Sequence, residues 1–313
     1  MNFNEKTMQK AAVIVALAGL ANLLWGSAAS IIKIGYKIFQ VDSGDLASQV
    51  LFAGERFFLA GVLTIVLGSL VNGKLLVPTR TSGPKICVLA MFQTIIHYVL
   101  FYMGCAHATG TNVSIAVSTG SFITILFSSL LFRQEKLTGK KLLGCALGFT
   151  GVALINISSE SGLSLNMSLM GEGAIIFSCC SYALSSCFTK KFSKTENPVM
   201  LCGYQFVLGG AIMIAGALLL GGRLAYAGIG GIVLVLYLAL VSAVEFSLTS
   251  ILMKYNPVSR VSIFGFLNPI FGVILSMLVL GESSQEFGLK GLVALVLVCI
   301  GVLIVNLQHK QKS

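Results

Sequence analysis

The chain is 313 residues long, with 56% hydrophobic residues, only 10% charged residues and a formal net charge of +10. Soluble globular domains carry about a quarter charged residues, so this balance excludes an ordinary water-soluble enzyme or binding module and makes the bilayer the solvent. The Lys and Arg residues sit in short stretches between apolar segments and not on one basic face, which argues against nucleic acid as a partner and for a role in membrane topology.

Met1 to Lys10 is polar and mixed in charge, and the apolar run after it lacks a small-residue cleavage site, so no cleaved signal peptide is expected. A membrane-crossing helix needs about 20 mostly apolar residues, and ten such windows follow one another with short polar joints. They are Ala11 to Ile32, Ala47 to Val71, Ile86 to Cys105, Asn112 to Phe132, Lys141 to Ile157, Met170 to Thr189, Pro198 to Leu220, Gly230 to Leu252, Val258 to Leu280 and Gly288 to Leu307. On helix five, Gly144-Cys145-Ala146-Leu147-Gly148 makes a small-residue face suited to packing against its own subunit or against another chain. The eight cysteines fall within apolar segments without metal-ligand spacing; they are expected to be buried packing residues, with no metal and no cofactor implied.

Sixteen of the 21 basic residues lie in the joints on the side of the N-terminus. Lys33, Lys37, Arg223 and Lys290 lie on the other side, and Arg56 is inside helix two. The bias predicts a multi-pass protein of the cytoplasmic membrane with both termini in the cytoplasm.

The sequence also repeats. Gly54-Glu55-Arg56-Phe57 with Leu59 and Gly61 aligns with Gly203-Tyr204-Gln205-Phe206 with Leu208 and Gly210, and Phe132-Arg133-Gln134-Glu135 aligns with Val279-Leu280-Gly281-Glu282. Gly151 to Asn156 aligns in turn with Gly301 to Asn306. Each half therefore holds five helices, the first over 1–157 and the second over 170–307, with a short basic tail at 308–313. Because five is odd, the second half enters the membrane with opposite polarity, and Glu135 and Glu282 fall on opposite faces. The expected fold is an all-α integral membrane protein of ten transmembrane helices in two inverted-topology repeats, an arrangement suited to alternating access.

Several stretches resemble one family. Leu24-Trp25-Gly26-Ser27 with Ile32-Lys33, Glu55-Arg56-Phe57-Phe58, the Arg133-Gln134-Glu135-Lys136-Leu137 turn before Gly144, and Leu267-Asn268-Pro269-Ile270-Phe271 with the Gly281-Glu282 turn are together similar to the EamA-type branch of the drug/metabolite transporter superfamily. The resemblance spans the chain. It implies a central cavity lined by helices of both halves, with helices five and ten peripheral, and a substrate among amino acids, cofactors, sugars, amines or related metabolites. Export of amino acids or related metabolites is the expectation, with import of an amine or cofactor as the alternative. Gln205 stands where helix two has Arg56, so any role of Arg56 is asymmetric.

Ionisable side chains at membrane depth cost at least about 2.5 kcal/mol on insertion scales and require a partner, a wet cavity or a function. His97 lies about 18 Å beyond Lys85 along helix three, and Glu245 about 13 Å before Lys254 along helix eight, so both sit near the midplane. The repeat puts them at one pseudo-symmetric position. Thr94 shares the face of His97, and Ser242 and Thr249 share that of Glu245. One reading makes Glu245 the binder of a proton or a cationic substrate group with His97 as its titratable partner; the other makes the pair a hydrogen bond holding helices three and eight together. Arg56 is read as a structural ion pair, as a snorkelling side chain or as a clamp for a substrate carboxylate. Asn268-Pro269 predicts a kink in helix nine, read as a cavity-lining hinge or as a kink serving only packing, with Ser121-Phe122 at the equivalent place in helix four. Trp25 and its repeat equivalent Tyr182 are candidate cavity walls or packing aromatics. A membrane enzyme is disfavoured because the joints are too short for a catalytic domain and show no nucleophile-base arrangement; a channel fits the inverted repeat and interrupted helices less well than a carrier.

Overall fold

The computed structural model describes residues 5–42, 44–108, 110–156, 168–225, 227–280 and 288–306. Among them the chain forms ten helical rods after a single helical turn at Glu5–Met8, and no strand. The rods are α1 (Ala11–Ile38), α2 (Leu46–Asn72), α3 (Ser82–His107), α4 (Gly110–Leu126, continued by a π-helical turn Phe127–Leu131) and α5 (Gly139–Asn156). The second half supplies α6 (a π-helical turn Leu169–Gly173 running into Ala174–Phe192), α7 (Pro198–Leu219), α8 (Gly228–Tyr255), α9 (Val258–Ser262, a 3-10 turn Ile263–Phe266, then Leu267–Leu280) and α10 (Gly288–Asn306). By length and composition α1, α2, α3, α7 and α8, at 22 to 28 residues, are each long and apolar enough to cross a membrane; the others are shorter or interrupted. α1 runs past the expected Ile32, so Lys33 and Lys37 are exposed on its last turns and not in a joint.

Local chemistry sets the ends. Asp45 caps α2 by accepting from the Ser48 amide at 3.0 Å and the Ser48 hydroxyl at 2.6 Å. Gly73 closes the same helix at φ 64°, a left-handed conformation that glycine adopts without a Cβ penalty. Asn197 caps α7 through the Val199 and Met200 amides, with Pro198 in the first turn where no amide is needed.

Within a bilayer, helices associate through close packing of small residues, because lipid tails are as apolar as leucine. The α2–α7 crossing is built this way, twice over. A Cβ on Gly54 would lie 3.2 Å from the Gly210 carbonyl oxygen, and one on Gly61 would lie 2.6 Å from that of Gly203. The reverse contacts, from Gly210 to the Gly54 oxygen and from Gly203 to the Gly61 oxygen, are 2.8 and 3.3 Å. Gly54 and Gly61 are the repeat equivalents of Gly203 and Gly210, so one glycine pair appears on both sides of a pseudo-two-fold axis, with the helices antiparallel as inverted topology requires. Phe57 stacks on its equivalent Phe206 beside that axis, ring centroids 5.1 Å apart.

α5 and α10 form a second antiparallel pair, with Gly144 and Gly301 against each other's carbonyls and Gly151 against Ala294 and Val298. The small-residue face of α5 is thus used inside the subunit. The two halves interleave: α1 packs on α8 and α9, and α6 packs on α3 and α4. The expected thiol burial holds for Cys145, Cys179, Cys187 and Cys202; Cys87 and Cys299 instead face outward from the helix bundle. The 308–313 tail and Glu282 lie outside the described residues.

Gly61→Leu is expected to cost about 1–3 kcal/mol or more, because the new side chain meets backbone that cannot yield. Gly216→Leu on the open side of α7, where no atom lies within 4 Å, serves as the control. Equal thermal midpoints for the two variants in detergent would show that the glycine crossing is not what holds α2 to α7.

Candidate functional site

Among the buried polar side chains of the bundle, two sets follow the repeat. Arg56 on α2 is fully buried, and its Nε donates to Ser242 Oγ on α8 at 2.9 Å. Gln205 on α7 is also fully buried, and its Oε1 accepts from Thr94 Oγ1 on α3 at 2.7 Å. Arg56 is equivalent to Gln205 and Ser242 to Thr94, so these are one interhelical hydrogen bond formed twice. Three residues further along each partner helix come Glu245 and His97. The site is therefore two related triads, Arg56–Ser242–Glu245 and Gln205–Thr94–His97.

The first triad carries both formal charges and leaves them incompletely satisfied. Arg56 Nη1 and Nη2 are buried without a hydrogen-bond partner, and so is Glu245 Oε2. Glu245 is 8% exposed, and its Oε1 accepts from Thr249 Oγ1, one turn along, at 3.2 Å. The ion pairs among the described residues, Lys85–Glu196 and Lys141–Glu135, do not involve Arg56. Both structural readings of Arg56 are thereby corrected: among the described residues no carboxylate forms an ion pair with it, and its side chain is fully buried and does not reach the surface. Its guanidinium lies over aromatic faces instead, with CZ 5.3 Å from the Trp25 ring centroid and 5.1 Å from that of Phe57. Trp25 in turn meets Tyr98 at 6.2 Å and Phe246 at 5.5 Å.

His97 does not bond Glu245. Its Nδ1 is 2.8 Å from Ser178 Oγ and 3.0 Å from the Ser178 carbonyl oxygen on α6, and its ring is 5.4 Å from that of Tyr182. The α3–α8 hydrogen bond of the sequence reading is replaced by an α3–α6 bond. Two features explain the change. The seven residues before His97, Ala90–Ile96, wind as a π-helix, which re-aims the side chains that follow, whereas the equivalent stretch of α8 is regular α-helix. The offset that relates Trp25 to Tyr182 relates Ala21 to Ser178, so the first-half counterpart of Ser178 carries no hydroxyl.

In α9 the break predicted at Asn268-Pro269 appears as the 3-10 turn Ile263–Phe266, one turn earlier, where proline leaves the Gly265 carbonyl without its helical donor and the Leu267 amide turns to it instead. Ser121 sits against Gly265, whose Cβ would lie 2.5 Å from the Ser121 hydroxyl, and Asn268 Oδ1 is unpartnered. The structure thus gathers Trp25, Arg56, Ser242, Glu245 and Thr249, joins Thr94 to Gln205 and His97 to Tyr182, and seats Ser121 on the α9 break. Sequence reasoning left out Gln205, Ser178 and Tyr98. The repeat alignment already paired Gln205 with Arg56, and that was the available signal.

On the face where α1 begins and α10 ends, the halves are tied by the α4–α5 joint. Glu135 Oε1 accepts from Ser128 Oγ at 2.6 Å and the Ser259 amide at 2.9 Å; its Oε2 accepts from Ser259 Oγ at 2.5 Å and Lys141 Nζ at 2.9 Å. Gln134 Nε2 reaches the Cys187 carbonyl of α6 at 2.9 Å. Burial pushes the Glu135 carboxyl up, but the hydrogen bonds from Lys141, Ser128 and Ser259 outweigh it and hold the group below its usual range. A depressed carboxylate contributes stability above its unfolded-state pKa of about 4.3, and the contribution fades as pH falls through the lower folded value. Glu135→Gln is expected to loosen this tie at neutral pH and, by mass-spectrometric mapping, to raise maleimide labelling of the buried Cys187 several-fold. Acidification of the wild type through the lowered folded value should loosen the same tie, read as a loss of thermal stability that Glu135→Gln does not share. Unchanged labelling in the variant would show that Glu135 does not hold the halves together.

The sequence profile of the EamA-like transporter family matches residues 12–157 and 169–307. A protein of Escherichia coli K12 described as the uncharacterized inner membrane transporter YedA is 23% identical over 286 residues, covering 89% of this chain and 88% of that protein. An uncharacterized transporter of Archaeoglobus fulgidus is 26% identical over 188 residues, which span 59% of this chain and 60% of the relative's length. In three dimensions a crystal structure of a protein superposes with a TM-score of 0.76 at 15% identity, over 95% of this chain and 98% of that one, a likeness of fold.

Proposed function

The chain belongs to the EamA-like transporter family, and from that premise we propose that it is a secondary carrier moving amino acids or related small metabolites by alternating access of its two inverted halves. The observation that carries this reading is the pairing of unsatisfied opposite charges at the centre: two free guanidinium nitrogens of Arg56 and one free carboxylate oxygen of Glu245, all buried. Ser242, which holds Arg56, precedes Glu245 by three residues, a spacing that brings their Cβ atoms within about 5–6 Å on one helix face. An unpaired buried ion costs several kcal/mol, and a zwitterion relieves both at once, its carboxylate on Arg56 and its ammonium at Glu245. Trp25 and Tyr98 supply the aromatic wall. When no substrate is bound, a proton on Glu245 serves in place of the ammonium, which couples transport to protons.

The basic joints favour cytoplasmic termini, and export is the direction we assign. Import of an amine or cofactor is the second reading, favoured by Glu245 alone. A thermal-shift screen of the purified protein over amino acids, amines and nucleobase-like compounds separates them. Amino acids are expected to raise the midpoint, by about 2.7 kcal/mol of stabilisation at a hundredfold excess over Kd, and amines without a carboxylate are not. The opposite ranking would overturn the amino-acid reading in favour of the amine.

A further inference from the structure

The second triad has a consequence for specificity, and we propose that Gln205 is a direct substrate contact that restricts the site to molecules with a single anionic group. The inference rests on the carboxylate-clamp reading of Arg56 and deepens it. Gln205 is fully buried, and its Oε1 is fixed by the Thr94 hydroxyl at 2.7 Å. In this arrangement the hydroxyl donates and the amide oxygen accepts. Nε2 is left buried and without a partner, as the two terminal nitrogens of Arg56 are. Each side chain spends one atom on an interhelical hydroxyl and keeps its remaining donors free, and the stacked rings of Phe57 and Phe206 next in sequence bring the two positions to the same axis.

The chemistry of the two arms differs in one respect. Arg56 offers charged, forked donors that suit a carboxylate. Gln205 offers a neutral donor that suits a carbonyl, amide or hydroxyl oxygen, and a second carboxylate there would be desolvated without a counter-charge. His97 turns its Nδ1 to Ser178 on α6 and not to this arm. An amino acid lying across the axis therefore sets its ionic pair on the Arg56–Ser242–Glu245 triad and a neutral polar side chain on the Gln205–Thr94 triad.

The isosteric pairs L-glutamine with L-glutamate and L-asparagine with L-aspartate test this, read as apparent Kd by thermal shift on the full-length protein. Wild type is expected to prefer the amide of each pair by at least tenfold. Gln205→Leu should abolish that preference, and Gln205→Arg, the symmetrised site, should reverse it. If the arginine variant does not fold, the leucine variant alone decides, because a purely structural Gln205 would change stability but not the ratio of the two affinities. An unchanged ratio in folded Gln205→Leu overturns the proposal. Arg56→Met separates this failure from that of the underlying reading: loss of binding of all four probes supports the clamp, while retained binding removes the clamp whatever Gln205 does. A wild type that responds to none of the four probes overturns the inference together with the amino-acid reading.

Discussion

Arg56→Met is expected to lower transport by about a hundredfold or more while leaving the purified protein at least as heat-stable as the wild type. The two halves of this outcome come from the same fact. Among the described residues, two of the three guanidinium nitrogens are buried with no partner, and no carboxylate closes on them. Replacing a buried ion by an apolar side chain of similar length is often neutral or stabilising, and methionine can fill the slot between Trp25 and Phe57 where the guanidinium now lies. The protein loses the charge-assisted Ser242 bond, about 1.5–3 kcal/mol, and the two aromatic contacts, about 0.5–2 kcal/mol each, and sheds the several-kcal/mol cost of a buried, incompletely satisfied ion. Substrate loses a desolvated charge contact of about 3–5 kcal/mol, which is about two to three and a half decades in affinity. A structural arginine would give the converse, a lowered thermal midpoint with transport falling only in proportion to folded protein.

Glu245→Gln is the second large effect. The substitution keeps the size of the side chain and an oxygen for the Thr249 hydroxyl, so packing is preserved, but it removes the only acidic group of the two triads. Uptake into proteoliposomes should fall by about tenfold or more, and the residual rate should no longer vary between pH 5 and 8. A variant that transports with the wild-type pH profile would take Glu245 out of both coupling and ammonium binding, and the amine alternative would go with it.

The scaffold was legible because two independent periodicities agree: apolar windows of membrane length and a near-constant offset between the halves. Gly54, Gly61, Gly203 and Gly210 were visible as matched positions, and the reciprocal α2–α7 contacts are what that match becomes in space. The composition of the site was also legible, since charge at membrane depth is rare and singles out Arg56 and Glu245. Partner choice was not. Sequence symmetry pointed His97 at Glu245, but side-chain direction depends on helical winding, and the π-helical turn over Ala90–Ile96 has no compositional mark. Gln205 was read as the absence of an arginine, and only the Thr94 hydrogen bond identifies it as a donor in its own right. The fate of the α5 glycines was open for a similar reason: a small-residue face states that something approaches closely and not what, and α10 is the answer.

Counterflow in reconstituted proteoliposomes tests the central claim most directly. Vesicles loaded with unlabelled L-glutamine and diluted into a trace of labelled L-glutamine should accumulate label transiently above the equilibrium level, because a carrier must return its site and returns it faster when loaded. The overshoot should saturate with internal substrate and be absent in Arg56→Met. Flux that rises linearly with concentration, carries current and shows no overshoot would contradict alternating access about this centre.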